Sequence, residues 1–385
     1  MKVLFVVSDS TAHGGTEILT FNLMRELQNL GIDCYLISRY IYNGENSHVL
    51  NMTPTQFSRY QRLLNNPLNK LLGNKLSDNF LKKVIRKIAY KVQVDWIINH
   101  TYDLCSAIPT DGPWKTAQVF HWSVVGYENN LKSVIHNKSF IPRTLSMVLL
   151  KANIKKWHKS IPHFDNLICL TNSALAEIKN VFHLSAHNKI ALIPDPLMQS
   201  QESTEVSSLN NKTIVYVGRL SHEKGVMRLL RIWKHLSPQL VDYTLTIYGD
   251  GYMQDEMKQF IQSNNLPRIE LKGFSSDLKD IYTHADLCLM TSDTEGFGMV
   301  LIEAMYYGVP CISFDCPISP KEIIADAGLT VKCFNEIAYA NVVVGLLKNK
   351  EKVKYLQQAA IDRAKDFYIN KVTKLWQQML NSKNT

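Results

Sequence analysis

Glu295 and Glu303 stand eight positions apart in the run Glu295-Gly296-Phe297-Gly298-Met299-Val300-Leu301-Ile302-Glu303. Gly296 and Gly298 carry no side chain to hold a ligand away from the backbone, and the apolar residues from Met299 onward predict a helix start. The first N–H groups of a helix lack partners within it and sit at the positive end of its dipole, so phosphate oxygens fit there. Glu303 falls among Val300, Leu301, Ile302, Ala304 and Met305. An ionised carboxylate in such company needs a hydrogen-bonding partner, and a ribose diol would supply one. A second run complements the first. Thr213 to Val217 reads as a short buried strand, followed by Gly218-Arg219-Leu220-Ser221-His222-Glu223-Lys224-Gly225. A helix comes next, with Val226, Leu229, Leu230, Trp233 and Leu236 on one stripe. An Arg fork and a Lys point charge emerging together from the carboxyl end of a strand suit a nucleotide diphosphate and the charge it gains on departure. Separately, these residues are surface charges, a helical Glu and a glycine turn. It is their conjunction that points to a ligand.

The elements that must position these groups alternate between strand and helix. Val3 to Val7, Cys34 to Ser38, Trp96 to Asn99, Ala117 to Phe120 and Leu167 to Leu170 read as strands of one parallel sheet. Ile214 to Val217, Thr244 to Tyr248, Ile269 to Leu271, Leu287 to Met290 and Cys311 to Ser313 read as those of a second. The expected architecture is therefore α/β, two Rossmann-like domains whose sheets face across a cleft. Residues 1–195 form the first domain and 212–365 the second, nucleotide-binding one. The polar stretch within 196–211 is the expected linker. Gly14 and Gly15 follow the first strand, where bare backbone could approach a donor phosphate.

Taken in order, the motifs resemble a known family. Gly218 to Gly225 followed by two glutamates eight apart looks like the retaining glycosyltransferases of family 4, which have the GT-B fold. His13-Gly14-Gly15-Thr16-Glu17, Tyr248-Gly249-Asp250-Gly251, Lys272-Gly273-Phe274 and Gly308-Val309-Pro310 fall in the family's order over nearly the whole chain. Phe314-Asp315-Cys316-Pro317 and Pro320-Lys321-Glu322-Ile323-Ile324 resemble a branch that builds bacterial surface glycans, including lipopolysaccharide, capsule and lipid-linked oligosaccharide. The resemblance implies transfer of a hexose or N-acetylhexosamine from a UDP-linked sugar, with no metal and no cofactor. Arg219, Lys224, Glu295 and His121 would be catalytic; His121 ends a strand before Trp122 and should project into the cleft. Gly14, Gly15, Gly218, Lys272, Phe274, Phe297, Gly298, Met299, Val300 and Glu303 would bind the donor. A last helix, about 366–385, would cross back onto the first domain. A GT-B epimerase or phosphorylase, or a binding protein with a dead site, stays open beside the transferase.

Composition sets the surroundings. The 385 residues are 45% apolar, enough for two cores. No run of about 18 apolar residues is present to cross a membrane. Seven scattered cysteines without a C-x-x-C pair read as reduced thiols of a cytoplasmic protein. The net charge of +9 is carried wholly by residues 1 to 195, with 22 Lys and Arg against 13 Asp and Glu. Arg59 to Lys91 holds nine basic residues and one acid, Asp78. There Leu81, Val84, Ile85, Ile88 and Val92 share a helical face ringed by Lys82, Lys83, Arg86, Lys87 and Lys91, a pattern suited either to core packing or to an anionic membrane surface. No nucleic-acid-binding motif accompanies the basic stretch. The expectation is a peripheral protein on the inner face of the bacterial cytoplasmic membrane, working on a lipid-linked or oligosaccharide acceptor.

Overall fold

The computed structural model describes residues 1–9, 15–40, 46–72, 74–124, 126, 143–182, 184 and 188–382. The chain forms two units, Met1–Pro194 with Val372–Thr385, and Asp195–Lys371. In the first unit, the elements are β1 (Lys2–Val7), α1 (Gly15–Asn29), β2 (Asp33–Ser38), α2 (Pro54–Leu64), α3 (Pro67–Leu71), α4 (Lys75–Val92), β3 (Trp96–Asn99), β4 (Lys115–Phe120), α5 (Arg143–Ser160), β5 (Asn166–Cys169), α6 (Asn172–Val181) and β6 (Lys189–Leu192). They build a parallel sheet of order β2-β1-β3-β4-β5-β6. The runs Val3–Val7 and Trp96–Asn99 are buried throughout because both faces of such a sheet are covered.

The second unit holds β7 (Thr213–Val217), α7 (Val226–Leu236), β8 (Thr244–Tyr248), α8 (Gln254–Ser263), β9 (Ile269–Gly273), α9 (Leu278–Thr283), β10 (Leu287–Met290), α10 (Met299–Tyr306), β11 (Cys311–Phe314), α11 (Pro320–Ile324), β12 (Gly328–Val331), α12 (Glu336–Lys348) and α13 (Lys350–Ala364). Its parallel sheet runs β12-β11-β10-β7-β8-β9. That order reverses direction between β7 and β10, and ligands of open α/β sheets bind at the carboxyl ends beside such a reversal. The expected stripe of α7 is buried as predicted, with Trp233 fully enclosed.

Helix α14 (Ile369–Asn381) brings its tail to the first unit, where Val372, Trp376, Met379 and Leu380 are buried. Trp96 donates its indole N–H to the Leu380 carbonyl at 3.2 Å. Leu375 is exposed, and its neighbour Trp376 takes the inward place. In α4, Leu81, Val84 and Ile85 are core residues, so the apolar stripe of that helix is used in packing and is not open to a membrane. All seven cysteines are unpaired, and six are buried.

One expectation needs correction. The polar stretch within 196–211 is not a free linker but a strap on the second unit. Leu197 N–H bonds the Phe367 carbonyl at 2.7 Å and Ser207 N–H the Tyr307 carbonyl at 2.9 Å. Ser207 Oγ donates to the Ala285 carbonyl at 2.5 Å, and Gln357 donates to the Ser207 carbonyl at 2.7 Å. Buried Asp286 accepts from the N–H groups of Asn211 and Lys212. A strap held through backbone groups needs no apolar pattern, so composition alone reads it as coil. Ser207→Val should strand the Ala285 carbonyl and lower the stability of the second unit by about 1–3 kcal/mol. Urea unfolding checks this, and an unchanged midpoint would mean the strap contributes nothing.

Candidate active site

The loops that leave the carboxyl ends of β7 and β10 meet through Lys224 and Glu295. Lys224 Nζ lies 2.7 and 2.8 Å from the two Glu295 carboxylate oxygens. Ser292 Oγ donates to Glu295 Oε1 at 2.6 Å, and Glu295 is only 8% exposed. Lys224 is fixed through its backbone as well: its carbonyl accepts from Tyr216 Oη and Thr291 Oγ1, each at 3.2 Å. Glycine is required at the next position. Gly225 has φ +66°, and a Cβ there would stand 1.9 Å from the Thr291 carbonyl oxygen. Arg228, one turn into α7, bonds the same carbonyl at 2.7 Å, pairs with Asp293 at 2.6 Å and lies 4.0 Å above the Phe334 ring. Nothing in the spacing of the chain marks Arg228 or Ser292 as supports for this pair.

Arg219 is the freer cation. Its side chain is 57% exposed and reaches Glu223 only at 4.0 Å. Beyond it the loops are laced strand to strand: Gly218 N–H bonds the Tyr248 carbonyl, Leu220 N–H the Asp250 carbonyl, and Gly249 N–H the Gly273 carbonyl. Lys272 and Phe274 flank that last glycine. Lys272 is ion-paired with Glu270 at 2.9 Å on edge strand β9, and the Phe274 ring is turned out to solvent. Neither contacts the Lys224 and Glu295 pair.

Helix α10 starts at Met299 behind Gly298, whose φ is +95°, and no side chain caps it. Its first N–H groups are thus available to an anion. Met299 and Val300 are half-buried and present backbone there. Phe297 is buried edge-on against Phe367 at 5.6 Å, so its ring holds the loop and only its backbone can face a ligand. Glu303, one turn into α10, receives a 3.5 Å hydrogen bond from Tyr282 Oη. Burial pushes its carboxyl up to about 7, with the tyrosine bond opposing the shift.

In the first unit, Gly15 opens α1 with free space around it, while Gly14 lies outside the described residues. His121 follows directly on β4, at the carboxyl end of that strand. It is buried, and its Nε2 lies 3.0 Å from His100 Nδ1. His100 Nδ1 is also 3.2 Å from Thr20 Oγ1, whose own proton goes to the Thr16 carbonyl at 2.7 Å. The arrangement that satisfies most partners puts a proton on His100 Nδ1 and leaves His121 Nε2 as acceptor. His100 stacks on Trp376 at 6.0 Å. Burial, with the neighbouring His121, holds its pKa well below the ordinary histidine value, so it stays neutral.

Residues 199–363 match the sequence model of glycosyl transferases group 1. The matched stretch lies wholly within the second unit. It is 33% identical over 178 residues to the amylovoran biosynthesis glycosyltransferase AmsD of Erwinia amylovora, covering 46% of this chain and 50% of that protein. Against an α-1,4-N-acetyl-D-galactosaminyltransferase of Campylobacter jejuni, whose named substrate is a glycan on diphospho-undecaprenol, it is 29% identical over 216 residues, or 55% of this chain and 60% of the relative. The chain therefore matches only about half the length of these two relatives. Among solved structures, Staphylococcus aureus TarM, crystallised with UDP, superposes with a TM-score of 0.75 at 14% identity over 99% of this chain and 100% of its own. That likeness shows the fold, which is GT-B.

The Lys224 and Glu295 ion pair has a measurable signature. Lys224→Met should leave a nearly buried Glu295 carboxylate without its cation and lower stability by about 3–5 kcal/mol. Lys224→Met with Glu295→Gln should recover most of the loss. Thermal unfolding of the three proteins checks it; equal loss in single and double variants would mean the pair is not coupled.

Proposed function

We propose that the chain is a retaining glycosyltransferase that moves a hexose or N-acetylhexosamine from a UDP-linked sugar to a lipid-linked or surface-glycan acceptor, forming an α-glycosidic bond. The observation that carries this reading is the Lys224 and Glu295 pair at the point where the second sheet reverses direction, beside the uncapped start of α10. A cation held by a carboxylate is fixed before substrate arrives, as electrostatic catalysis requires. The named UDP complex of TarM and the named lipid-diphosphate acceptor of the Campylobacter relative support the choice of donor and acceptor.

In this mechanism the bond between the anomeric carbon and the diphosphate oxygen breaks, and its electron pair leaves with UDP. Lys224, Arg219 and the first N–H groups of α10 stabilise the charge that develops on the diphosphate. Glu295 holds hydroxyls of the transferred sugar, His121 meets that sugar from the first unit, and Glu303 takes the ribose diol. Gly218 and the turned-out Phe274 border the nucleoside. The acceptor hydroxyl attacks on the face that UDP leaves, and its proton passes to the departing phosphate. The two cations supply the neutralisation that a metal ion would otherwise provide. The protein, through its basic first unit, works at the inner face of the cytoplasmic membrane.

Mass spectrometry of a nucleotide-sugar panel with lipid-linked acceptors tests the whole reading; donor consumed at full rate without acceptor would overturn it in favour of an epimerase or hydrolase. Arg219→Ala should slow turnover on the order of a hundredfold, because its charge acts on the leaving group while its exposed side chain adds little to folding. Wild-type turnover at saturating donor would remove it from the site. Glu303 yields a prediction with opposite signs. A carboxyl whose folded pKa lies above its unfolded value binds more protons folded than unfolded, so ligand-free stability falls as pH rises from about 4.5 to about 7. Glu303→Gln should therefore melt higher than wild type at pH 8 without ligand, yet bind UDP about 1–3 kcal/mol more weakly there. Calorimetry and thermal unfolding together check the pair of signs, and unchanged UDP affinity would exclude a ribose contact.

A further inference from the structure

A groove of about 550 Å³ opens between α2 and α4 of the first unit, and none of the residues assigned to the donor lines it. Arg59, Lys83 and Lys87 line it together with Leu63, Leu76 and Phe80, and no acid does. Arg59 lies 5.2 Å over the Phe80 ring, and among the described residues none of the three cations is ion-paired. Arg86 on the same helix differs, since it is tied to Asp111. Among the described residues, the groove thus keeps three uncompensated positive charges against an apolar wall.

A second observation lies beside it. Leu68, Leu72 and Leu76 are 58%, 48% and 39% exposed, although leucine is ordinarily enclosed. Hydrogen bonds tie together the backbone that carries them. Leu72 N–H bonds the Leu68 carbonyl at 3.0 Å and Lys75 N–H the Leu72 carbonyl at 3.3 Å. Buried Asn69 ties the turn to α4, accepting from Leu76 N–H at 2.8 Å and donating to Ser77 Oγ at 2.9 Å. Leu76 belongs to both groove and patch, and Lys70 and Lys75 are its neighbours in the chain. Leucines shown to water next to a basic groove have the chemistry of an interfacial anchor.

We propose that this groove receives phosphate headgroups of an anionic bilayer while Leu68, Leu72 and Leu76 enter the acyl boundary beside it. A soluble phosphate would leave the leucines without a purpose, and a nucleic acid would call for exposed rings on which to stack. The buried stripe of α4 braces the groove from inside, with Val84 forming part of its wall. The proposal deepens the membrane placement in the functional reading and rests on it, but vesicle binding needs neither donor nor turnover, so the two can fail separately.

The full chain should sediment at low salt with phosphatidylcholine vesicles that contain phosphatidylglycerol, and not with phosphatidylcholine alone. Arg59→Gln with Lys83→Gln and Lys87→Gln should weaken that binding on the order of a hundredfold, each charge contributing about 1 kcal/mol near an anionic surface. Leu68→Ser with Leu72→Ser should weaken it roughly tenfold or more with the charges intact. Both variants should keep the circular dichroism spectrum and unfolding temperature of wild type, showing that they fold. Vesicle binding unchanged by either set would overturn the proposal. So would binding only when the vesicles carry polyprenyl phosphate and not phosphatidylglycerol, which would make the groove a site for the acceptor's own phosphate.

Discussion

A lysine ammonium set between two carboxylate oxygens on neighbouring loops is the constraint around which the second unit is arranged. Lys224 and Glu295 leave from β7 and β10, strands that pair directly, so their loops start close together and a single ion pair can span them. Everything nearby makes that span rigid. Gly225 brings its backbone against Thr291 where any side chain would collide, and Thr291, Tyr216 and Arg228 fasten the two loops with hydrogen bonds. A buried pair of this kind adds little to stability, because removing two charges from water opposes most of their attraction. Its importance lies in position. In the proposed transfer the cation would stand ready where a leaving diphosphate gains charge, with no solvent left to reorganise.

Glu303 shows the same exchange of stability for readiness. Its carboxyl is crowded enough to be raised to about 7, and a single long hydrogen bond from Tyr282 is its partner among the described residues. A folded protein gains nothing from holding a carboxylate so poorly satisfied. A bound diol would supply the missing donors, so the strain present without ligand becomes affinity when one binds.

Much of this arrangement is legible in the amino-acid order alone. Ten strands stand out by their apolar runs, because a parallel sheet covered on both faces leaves no alternation to obscure them. The two strands that do not stand out, Lys189–Leu192 and Gly328–Val331, are both edge strands and mostly half-buried, so their composition is mixed. The catalytic candidates on β7 and β10 are legible because glycines and charges at fixed spacing carry chemical meaning on their own. What stays hidden depends on partners distant in sequence. His100 meets His121 across 21 positions, and Ser207 meets Ala285 across 78. The stripe on α4 could serve core or membrane by pattern alone. Only packing decides for the core, and packing also exposes the leucines of the preceding turn, which have too short a helix around them to register as amphipathic.

The two cations differ in a way that bears on the order of events. Lys224 is held through both its ammonium and its carbonyl and loses little freedom when a diphosphate arrives. Arg219, more than half exposed and only loosely near Glu223, must be ordered by the ligand itself. Fixing such a side chain costs about 1.5–2 kcal/mol of rotamer freedom, which an exposed contact 4.0 Å from a carboxylate does not offset in advance. A bidentate contact to phosphate contributes more than that, and contributes most when the phosphate carries its full leaving-group charge. In the proposed transfer Lys224 would thus be in place before and during departure, whereas Arg219 would act most at departure itself, when the cost of its ordering is best offset.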